Sequence, residues 1–467
     1  MSNNQNFSDF KTYFYGKVTD FTLFDCADFN ALKMVLDGLR VDYASRDTVK
    51  LPIFGPLWKY DLINSLKRLK AKTKGEKQYT LAEIKKFKSK KYLVIDDGRV
   101  AVDAAGMPHS YYFTNLMESL NRVDCLHITE RKRNEKAVYD LNWEQLTNQL
   151  LLAPSNNDEK ELIAAIKTTF NRIKNSKLFN EKELLNIAFS FQNFFYKYKI
   201  WARLLNIVNP QKMFCILHYH TEGRTLAFRR KGIEVIELQH GLIATTDVFY
   251  VFPSQTKSII HKALFADQIW VYGNYWKQVL EKGVEYLNKI KVAGYYLYDN
   301  FSGYEHIEKE LDMFAEGKKL IIITTQTTMH RAFIEYALWL AKDIETRNLP
   351  YKILVKTHPL EKQEHYAILH QTAGVKMVNY PLPVLFKKTQ LHVTIYSTTL
   401  YDGARAGVLG FALYNEQYKD YIEEIIQSGV AYPLAQNQNP VDLIENLKVV
   451  DSSYYFSEFK IENLLKI

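Results

Sequence analysis

Lys356-Thr357-His358-Pro359 and, further along, Tyr396-Ser397-Thr398-Thr399 bring together the residue types that hold an anion. A lysine supplies fixed charge, an imidazole a proton or hydrogen bond, and hydroxyls neutral donors. Each cluster directly follows a run that reads as a buried strand, Tyr351–Val355 and Leu391–Ile395. In an open parallel sheet the loops after the strands converge on one edge, where ligands bind. The chemistry this suits is departure of a phosphate, whose growing negative charge is stabilised by preorganised cations and donors. His358 could protonate or hydrogen-bond the leaving phosphate and Lys356 could add charge, while Pro359 stiffens the loop. Ser397, Thr398 and Thr399 lie where a strand meets a helix, so hydroxyls and backbone N–H groups could share one anion. Thr324–Thr328 ends a third strand on the same edge, and its Thr325 and Gln326 could reach base or phosphate. An ordinary helix cap explains any one such loop. Two at matching positions in one unit favour a nucleotide-sugar site and glycosyl transfer.

An acceptor hydroxyl must then lose a proton, which calls for a carboxylate or imidazole on the opposite wall. Three places offer one. Asp96-Asp97-Gly98 follows the strand Tyr92–Ile95 and reads either as a carboxylate pair or as the Asp-Gly turn of a hairpin continuing through Arg99–Val102. Glu222 opens a helix after a strand, where a carboxylate also complements the helix dipole. Gln239-His240-Gly241 ends a buried strand with polar side chains and a permissive glycine, as a substrate-facing loop does. His218 and His220 lack a third ligand at metal-binding spacing, and no Asp-x-Asp, Gly-x-Gly-x-x-Gly or Walker loop occurs. No metal or other cofactor is expected, and kinase and dehydrogenase chemistry are disfavoured.

The elements that must position these residues alternate between strand and helix. Val18–Cys26 reads as a strand, Phe29–Leu39 as a helix, Tyr92–Ile95 and Cys125–Thr129 as strands, with a helix through Tyr111–Leu120. From about 142 to 206 the pattern is helical, its aromatics packing helix on helix. Strands follow at Met213–Tyr219, Ile233–Leu238, Gln268–Val271 and Ile290–Ala293, with helices at Glu222–Lys231 and Tyr275–Leu280. Beyond Gly294–Tyr304, which reads as a linker, a second unit runs through Lys319–Ile323, Tyr351–Val355, Val375–Val378, Leu391–Ile395 and Gly410–Leu413. Its helices are expected at His330–Thr346, near Glu364–Thr372 and at Leu400–Ala406. This rhythm implies α/β architecture with parallel sheets covered on both faces. Residues 1–304 are expected to form a Rossmann-like unit on the acceptor side, with a helical insertion at about 142–206. Residues 305–440 are expected to form the nucleotide-sugar unit, and two final helices, about Val441–Leu447 and Tyr454–Leu465, to cross back. The site then lies in the cleft between the two sheet edges.

Composition sets outer bounds. At 467 residues one core is too few, and 47% hydrophobic with 24% charged residues is ordinary for a globular chain. No apolar run approaches a bilayer span, the N-terminus lacks a secretory pattern, and three scattered cysteines suggest neither disulfides nor zinc, so a cytoplasmic setting is expected. The net charge of +9 is concentrated between Lys67 and Lys91, where eleven Lys/Arg face only Glu76 and Glu83. This reads as a solvated helical face or as peripheral contact with an anionic inner membrane surface; nucleic acid is disfavoured because no recognition module accompanies it.

Two resemblances join these residues. Asp96-Asp97-Gly98, His358-Pro359 and Ser397-Thr398 resemble the motif trio of bacterial sialyltransferases and polysialyltransferases. That resemblance implies a metal-independent GT-B fold using CMP-sialic acid, with Asp96 or Asp97 as base, His358 assisting the leaving phosphate, and Ser397 and Thr398 binding it. Over roughly 210 to 410, Glu237-Leu238-Gln239-His240-Gly241, Val271–Trp276, Lys356–Pro359 and Tyr396–Thr398 are similar to capsule and surface-polysaccharide glycosyltransferases, including Kdo-transferase-like and CDP-glycerol-transferase-like proteins. Both imply a GT-B-like α/β fold of two Rossmann-like parallel-sheet domains with an added helical segment. They also imply a nucleotide-sugar donor and a glycan or lipid-linked glycan acceptor. They differ on donor and base, and leave open a polyol-phosphate transferase, an epimerase or a non-catalytic sugar- or nucleotide-binding module.

Overall fold

The computed structural model describes residues 7–44, 79–129, 139–142, 146, 150, 155–216, 220–286, 289–327, 329–359 and 361–464. Residues 67–78 of the basic segment Lys67–Lys91 lie outside the described residues, as do His218, Tyr219 and Thr328.

Two parallel sheets organise the chain. The short hairpin β1 (Asp25–Cys26) and β2 (Phe29–Asn30) precedes them. The first sheet starts with β3 (Tyr92–Asp96), whose residues are all buried. A side ribbon, β4 (Val100–Val102) antiparallel to β5 (Pro108–Ser110), separates it from β6 (Cys125–Thr129) and β7 (Leu141–Asn142). The sheet is completed by β8 (Lys212–Cys215), β9 (Glu234–Leu238), β10 (Gln268–Val271) and β11 (Ile290–Val292). Its spatial order is β11-β10-β9-β8-β3-β6-β7, with every pairing parallel. The second sheet holds β12 (Lys319–Thr324), β13 (Tyr351–Lys356), β14 (Val375–Val378), β15 (Thr389–Thr394), β16 (Leu409–Leu413) and β17 (Tyr432–Leu434). Its order is β14-β13-β12-β15-β16-β17, again all parallel. Each sheet runs outward in both directions from its first strand, so the order reverses between β3 and β8 and between β12 and β15. Those two reversals are the crevices where an open α/β sheet takes ligands. This is the GT-B-like α/β architecture expected, with seven and six strands.

Apolar runs such as Leu93-Val94-Ile95 and Ile321-Ile322-Ile323 are continuous because helices cover both faces. In the expected helical segment, Asn157–Asn175 is capped by Asn156, and Glu181–Leu204 opens with a capping box between Asn180 and Glu183. Trp201 packs helix on helix as expected, 5.6 Å from Phe228 of Glu222–Arg230, whereas Phe194 lies 5.1 Å from Phe29 of β2, ring centre to ring centre.

Several local expectations are corrected. Val18–Cys26 is not a strand; Phe21–Phe24 forms a 3-10 turn because Asp20 caps Thr22, leaving only two residues extended. The helix expected near Glu364–Thr372 is likewise 3-10, at Gln363–Gln371. The C-terminal segment forms 3-10 turns at Pro440–Asn446, Ser452–Tyr454 and Ile461–Asn463 in place of two helices. Asn439 and Asp451 cap two of these locally, a competition that short polar side chains win over helix propagation. The segment nevertheless runs over the first sheet's edge: Ser457 donates to Tyr272 O (2.8 Å) and accepts from Tyr295 N (2.9 Å), and Trp276 Nε1 donates to Tyr455 O (3.1 Å). Glycine at 273 is required there, since a Cβ would stand 2.3 Å from Tyr455 O. No helix of the described residues is long and apolar enough to cross a membrane.

Candidate functional site

On the first sheet, β3 delivers Asp96 and Asp97 to the reversal point. Asp96 is 1% exposed and accepts from Gly98 N (2.8 Å) and the Ser110 hydroxyl, and it pairs with His127 Nε2 at 3.0 Å. A buried carboxylate needs that many partners to offset desolvation, so Asp96 is closed into the wall. Asp97 turns to Arg99, whose backbone N–H reaches Oδ1 at 3.0 Å and whose Nε lies 3.1 Å from Oδ2. The hairpin alternative is resolved by pairing: β4 pairs with β5 and not β3, and its turn is held by Asp103, which accepts from Ala105 and Met107. Asp97-Gly98 is a bend leaving the strand, with Gly98 at φ 81°.

Arg99 then joins two of the expected places. Its Nη1 donates to Tyr112 Oη (2.6 Å), and the Tyr112 hydroxyl donates to His240 O (3.1 Å). Asp97, Arg99, Tyr112 and His240 are therefore one connected group. Gln239 is fully buried; its Nε2 donates to Gly241 O (3.0 Å) and its Oε1 accepts from Tyr272 N (3.1 Å). Its side chain shapes the turn that presents His240 and Gly241. Glu222 belongs to a different cluster. It is 3% exposed and lies 3.2 Å from Lys33 Nζ, while His220 Nδ1 pairs with Asp37 at 3.1 Å. Burial and then Asp37 push the Glu222 carboxyl upward, against Lys33. Among the described residues no hydrogen bond or ion pair joins Glu222 to the Arg99 group.

The second sheet contributes three loops. Glu361, three residues beyond His358, ties two of them: Oε2 accepts from His358 N (3.1 Å) and the Thr325 hydroxyl, and Oε1 from Tyr366 Oη (2.8 Å). His358 N also reaches Thr325 Oγ1 at 3.0 Å. Gln326 braces the third loop, accepting from Tyr396 N (2.9 Å) and donating to Tyr396 O. Thr399 Oγ1 lies 3.1 Å from Thr324 Oγ1, which in turn meets His392 Nε2 at 2.8 Å; burial drives His392 down to about 3, so it is neutral. Ser397 Oγ accepts from Thr399 N (3.2 Å). The helix Thr399–Arg405 has seven residues, so its dipole adds little and the hydroxyls and cations dominate.

Lys356 and Thr398 remain open. Burial pulls the Lys356 ammonium down to about 8, and no carboxylate among the described residues pairs with it. Thr398 is half-buried, and its hydroxyl has no hydrogen-bond partner among the described residues. Pro359 is exposed at the loop tip. His358 is held below its usual range by burial, then by the Arg99 guanidinium, against the opposing pull of Glu361. Arg99 from the first sheet thus acts electrostatically on His358 from the second.

Other ties keep the halves together. Glu424 accepts from Thr245 N (2.8 and 2.9 Å to its two oxygens) and Thr245 Oγ1 (2.9 Å). Arg405 pairs with Asp299 at 2.8 Å and lies 3.8 Å over the Tyr295 ring. Asp402, in the first turn after Thr399, is raised to about 7 by burial, with Arg405 opposing. Sequence reasoning misses Arg99, Tyr112, Glu361 and Asp402. Only Glu361 carries a local signal, a carboxylate three positions after His358. Among the described residues, no three His, Cys, Asp or Glu side chains gather to hold a metal ion.

No protein-family model and no curated protein matches the chain. Among solved structures it is similar to a UDP-GlcNAc 2-epimerase from Methanocaldococcus jannaschii, at 13% identity over 80% of this chain and 98% of that one, with a TM-score of 0.46. It is also similar to the Neisseria meningitidis UDP-GlcNAc 2-epimerase bound to UDP-GlcNAc (12%, 76% and 91%, TM-score 0.43). A third is an alpha,alpha-trehalose 6-phosphate synthase from Burkholderia multivorans (10%, 74% and 86%, TM-score 0.40). Nothing about this chain's own substrate follows from likeness of that order.

Proposed function

We propose that this chain is a metal-independent glycosyltransferase. It would move a sugar from a nucleotide-activated donor, held by the second sheet's loops, to a glycan acceptor lying against the first. What supports the reading is that Arg99, tied to Asp97, Tyr112 and His240 O on the first sheet, acts electrostatically on His358, which shares its loop on the second sheet with Lys356. In that arrangement the acceptor hydroxyl gives its proton to Asp97 or His240 and attacks the anomeric carbon. The bond from that carbon to the phosphate oxygen breaks, and Lys356, His358 and the Ser397–Thr398 hydroxyls receive the charge left on the phosphate. The motif resemblance extends the proposal to a CMP-activated acidic sugar such as sialic acid or Kdo, delivered to a bacterial surface polysaccharide.

A calorimetric panel of CMP, CDP, UDP and GDP, each with and without chelator, tests this. One nucleotide is expected to bind selectively and to be indifferent to chelation, and Lys356→Ala should weaken it at least tenfold. Selection of UDP or GDP would remove the CMP extension and leave the transferase; binding of none would overturn the reading.

A further inference from the structure

The Arg99 guanidinium is anchored through two of its three nitrogens. Nε faces Asp97 and Nη1 one neighbour, Tyr112, whose hydroxyl is itself fixed by donating to His240 O. The remaining N–H of Nη1 and the two of Nη2 form a fork that fits a carboxylate or phosphate bidentately. Among the described residues nothing accepts from that fork, and the side chain is 44% exposed. Its charge reaches His358 of the second sheet, which follows Lys356 by two residues in the same loop. Arg99 thus acts on His358 from the other sheet, while the carboxylates nearest the two are already engaged: Asp97 by Arg99, and Glu361 by Thr325, His358 N and Tyr366. Repulsion of that kind is relieved when an anion binds beside the basic groups.

One anion, the donor phosphate, is accounted for by the second sheet's loops. Arg99 belongs to the other wall, where the sugar or acceptor would lie. We propose that Arg99, oriented by Tyr112, is a second anion subsite that recognises the carboxylate of a sugar acid; this rests on the transferase reading above. A sugar whose carboxylate is attached at or beside the anomeric carbon presents that group next to the bond being broken. It can therefore reach Arg99 while its phosphate stays with Lys356. Tyr112 is a positioning residue here, and Arg99 the one that touches ligand.

The test compares each acid with its own uncharged form on the full chain: N-acetylneuraminate against its methyl ester, and Kdo against its methyl ester. Binding is read by ligand-observed NMR, with and without the nucleotide selected in the panel above. At least one acid is expected to bind tenfold or more tighter than its uncharged form. Arg99→Gln should bring that pair within twofold while leaving nucleotide affinity within threefold. Tyr112→Phe, which keeps the charge and loosens its orientation, should give an intermediate preference. Equal binding of acid and uncharged form by the wild type would overturn the subsite, as would a preference that survives Arg99→Gln. Loss of nucleotide affinity in Arg99→Gln as large as the loss for the acid would assign Arg99 to the donor phosphate and also overturn it. If no nucleotide binds the wild type, the transferase reading fails alone, and the acid pairs measured without nucleotide still judge the subsite. Displacement of the acid by intact CMP-sugar marks it as the donor's, whereas simultaneous binding marks it as the acceptor's.

Discussion

Glu285 offers the sharpest test of how the loop behind His240 is held. Its Oε2 accepts from Phe252 N (3.0 Å), and Oε1 is buried with no hydrogen-bond partner among the described residues. Nearby, Lys11 Nζ donates to Thr245 O (3.1 Å) and Val251 O (2.9 Å), so both side chains fasten the stretch leading away from Gly241. Burial pushes the Glu285 carboxyl up to about 8, despite the backbone N–H groups and Lys11 that favour the charged form. The native state therefore keeps this proton up to about pH 8, whereas the unfolded chain releases it near the ordinary glutamate value of about 4.3. Between those limits the native state binds more protons, so the stability contributed is complete at low pH and is lost as pH rises through 8. Each pH unit in the window corresponds to about 1.4 kcal/mol, which gives a ceiling of about 4 kcal/mol between pH 5 and 8. Glu285→Gln has the same shape and does not titrate. The variant is therefore expected to gain on the wild type steadily from pH 5 to 8, and the difference should level off above. Urea denaturation followed by tryptophan fluorescence at half-unit pH intervals reads this; a two-domain chain need not unfold in one step, so the difference is taken within the same transition. A difference that stays flat from pH 5 to 8 would refute the reasoning. So would a variant destabilised most at high pH, which would make Glu285 the ionised partner of Lys11.

Lys356 should regain its proton when an anion binds. Nucleotide binding between pH 8 and 9 is then expected to take up protons, seen as a calorimetric enthalpy that changes with the ionisation heat of the buffer, and affinity should fall above about pH 8; no buffer dependence would remove Lys356 from the phosphate site. His358→Ala, and separately the pair Ser397→Ala with Thr398→Ala, should each lower the transfer rate by about 10² or more; near-normal turnover in both would displace the phosphate site as drawn here. Glu424→Ala removes the acceptor of two Thr245 donors, the backbone N–H shared by both oxygens and the hydroxyl, each bond between about 1.5 and 3 kcal/mol when fully buried and less at this half-exposed position. The expected outcome is faster amide exchange at Thr245 with the core of each sheet unchanged, and unaltered exchange there would show that the contact does not hold the loop.

Both sheets are legible in the sequence because their strands are unbroken apolar runs punctuated by turn residues, as at Leu93–Ile95 and Leu320–Ile323. The edge strand β17 escapes notice because it is three residues long with Pro433 at its centre. The helix Lys419–Ser428 is missed although Ile422, Ile425 and Ile426 share one face, since its start has no capping side chain. The second sheet's three loops are readable because each follows its strand directly. The opposite wall is not, because Arg99 acquires its place through Tyr112 and His240, far along the chain, and distance in sequence hides such a pairing. Asp96, Asp97 and Glu222 look alike as sequence candidates and are all buried; what separates them is their partners, His127, Arg99 and Lys33.

The segment around Ser452–Phe459 has a bearing on how the protein is made. It fills the grooves over Gly273 and Gly294, where backbone atoms approach too closely for any side chain. It also supplies hydrogen bonds to Trp276, Tyr272 and Tyr295. A ribosome delivers the first sheet in full before this segment exists. During that interval the nascent first half has its strands and helices but an uncovered strip along one edge, lined by Tyr272, Tyr275 and Trp276. Completion of the first half thus waits on the synthesis of the second, and the stretch of translation between them is when the chain most needs a chaperone's cover.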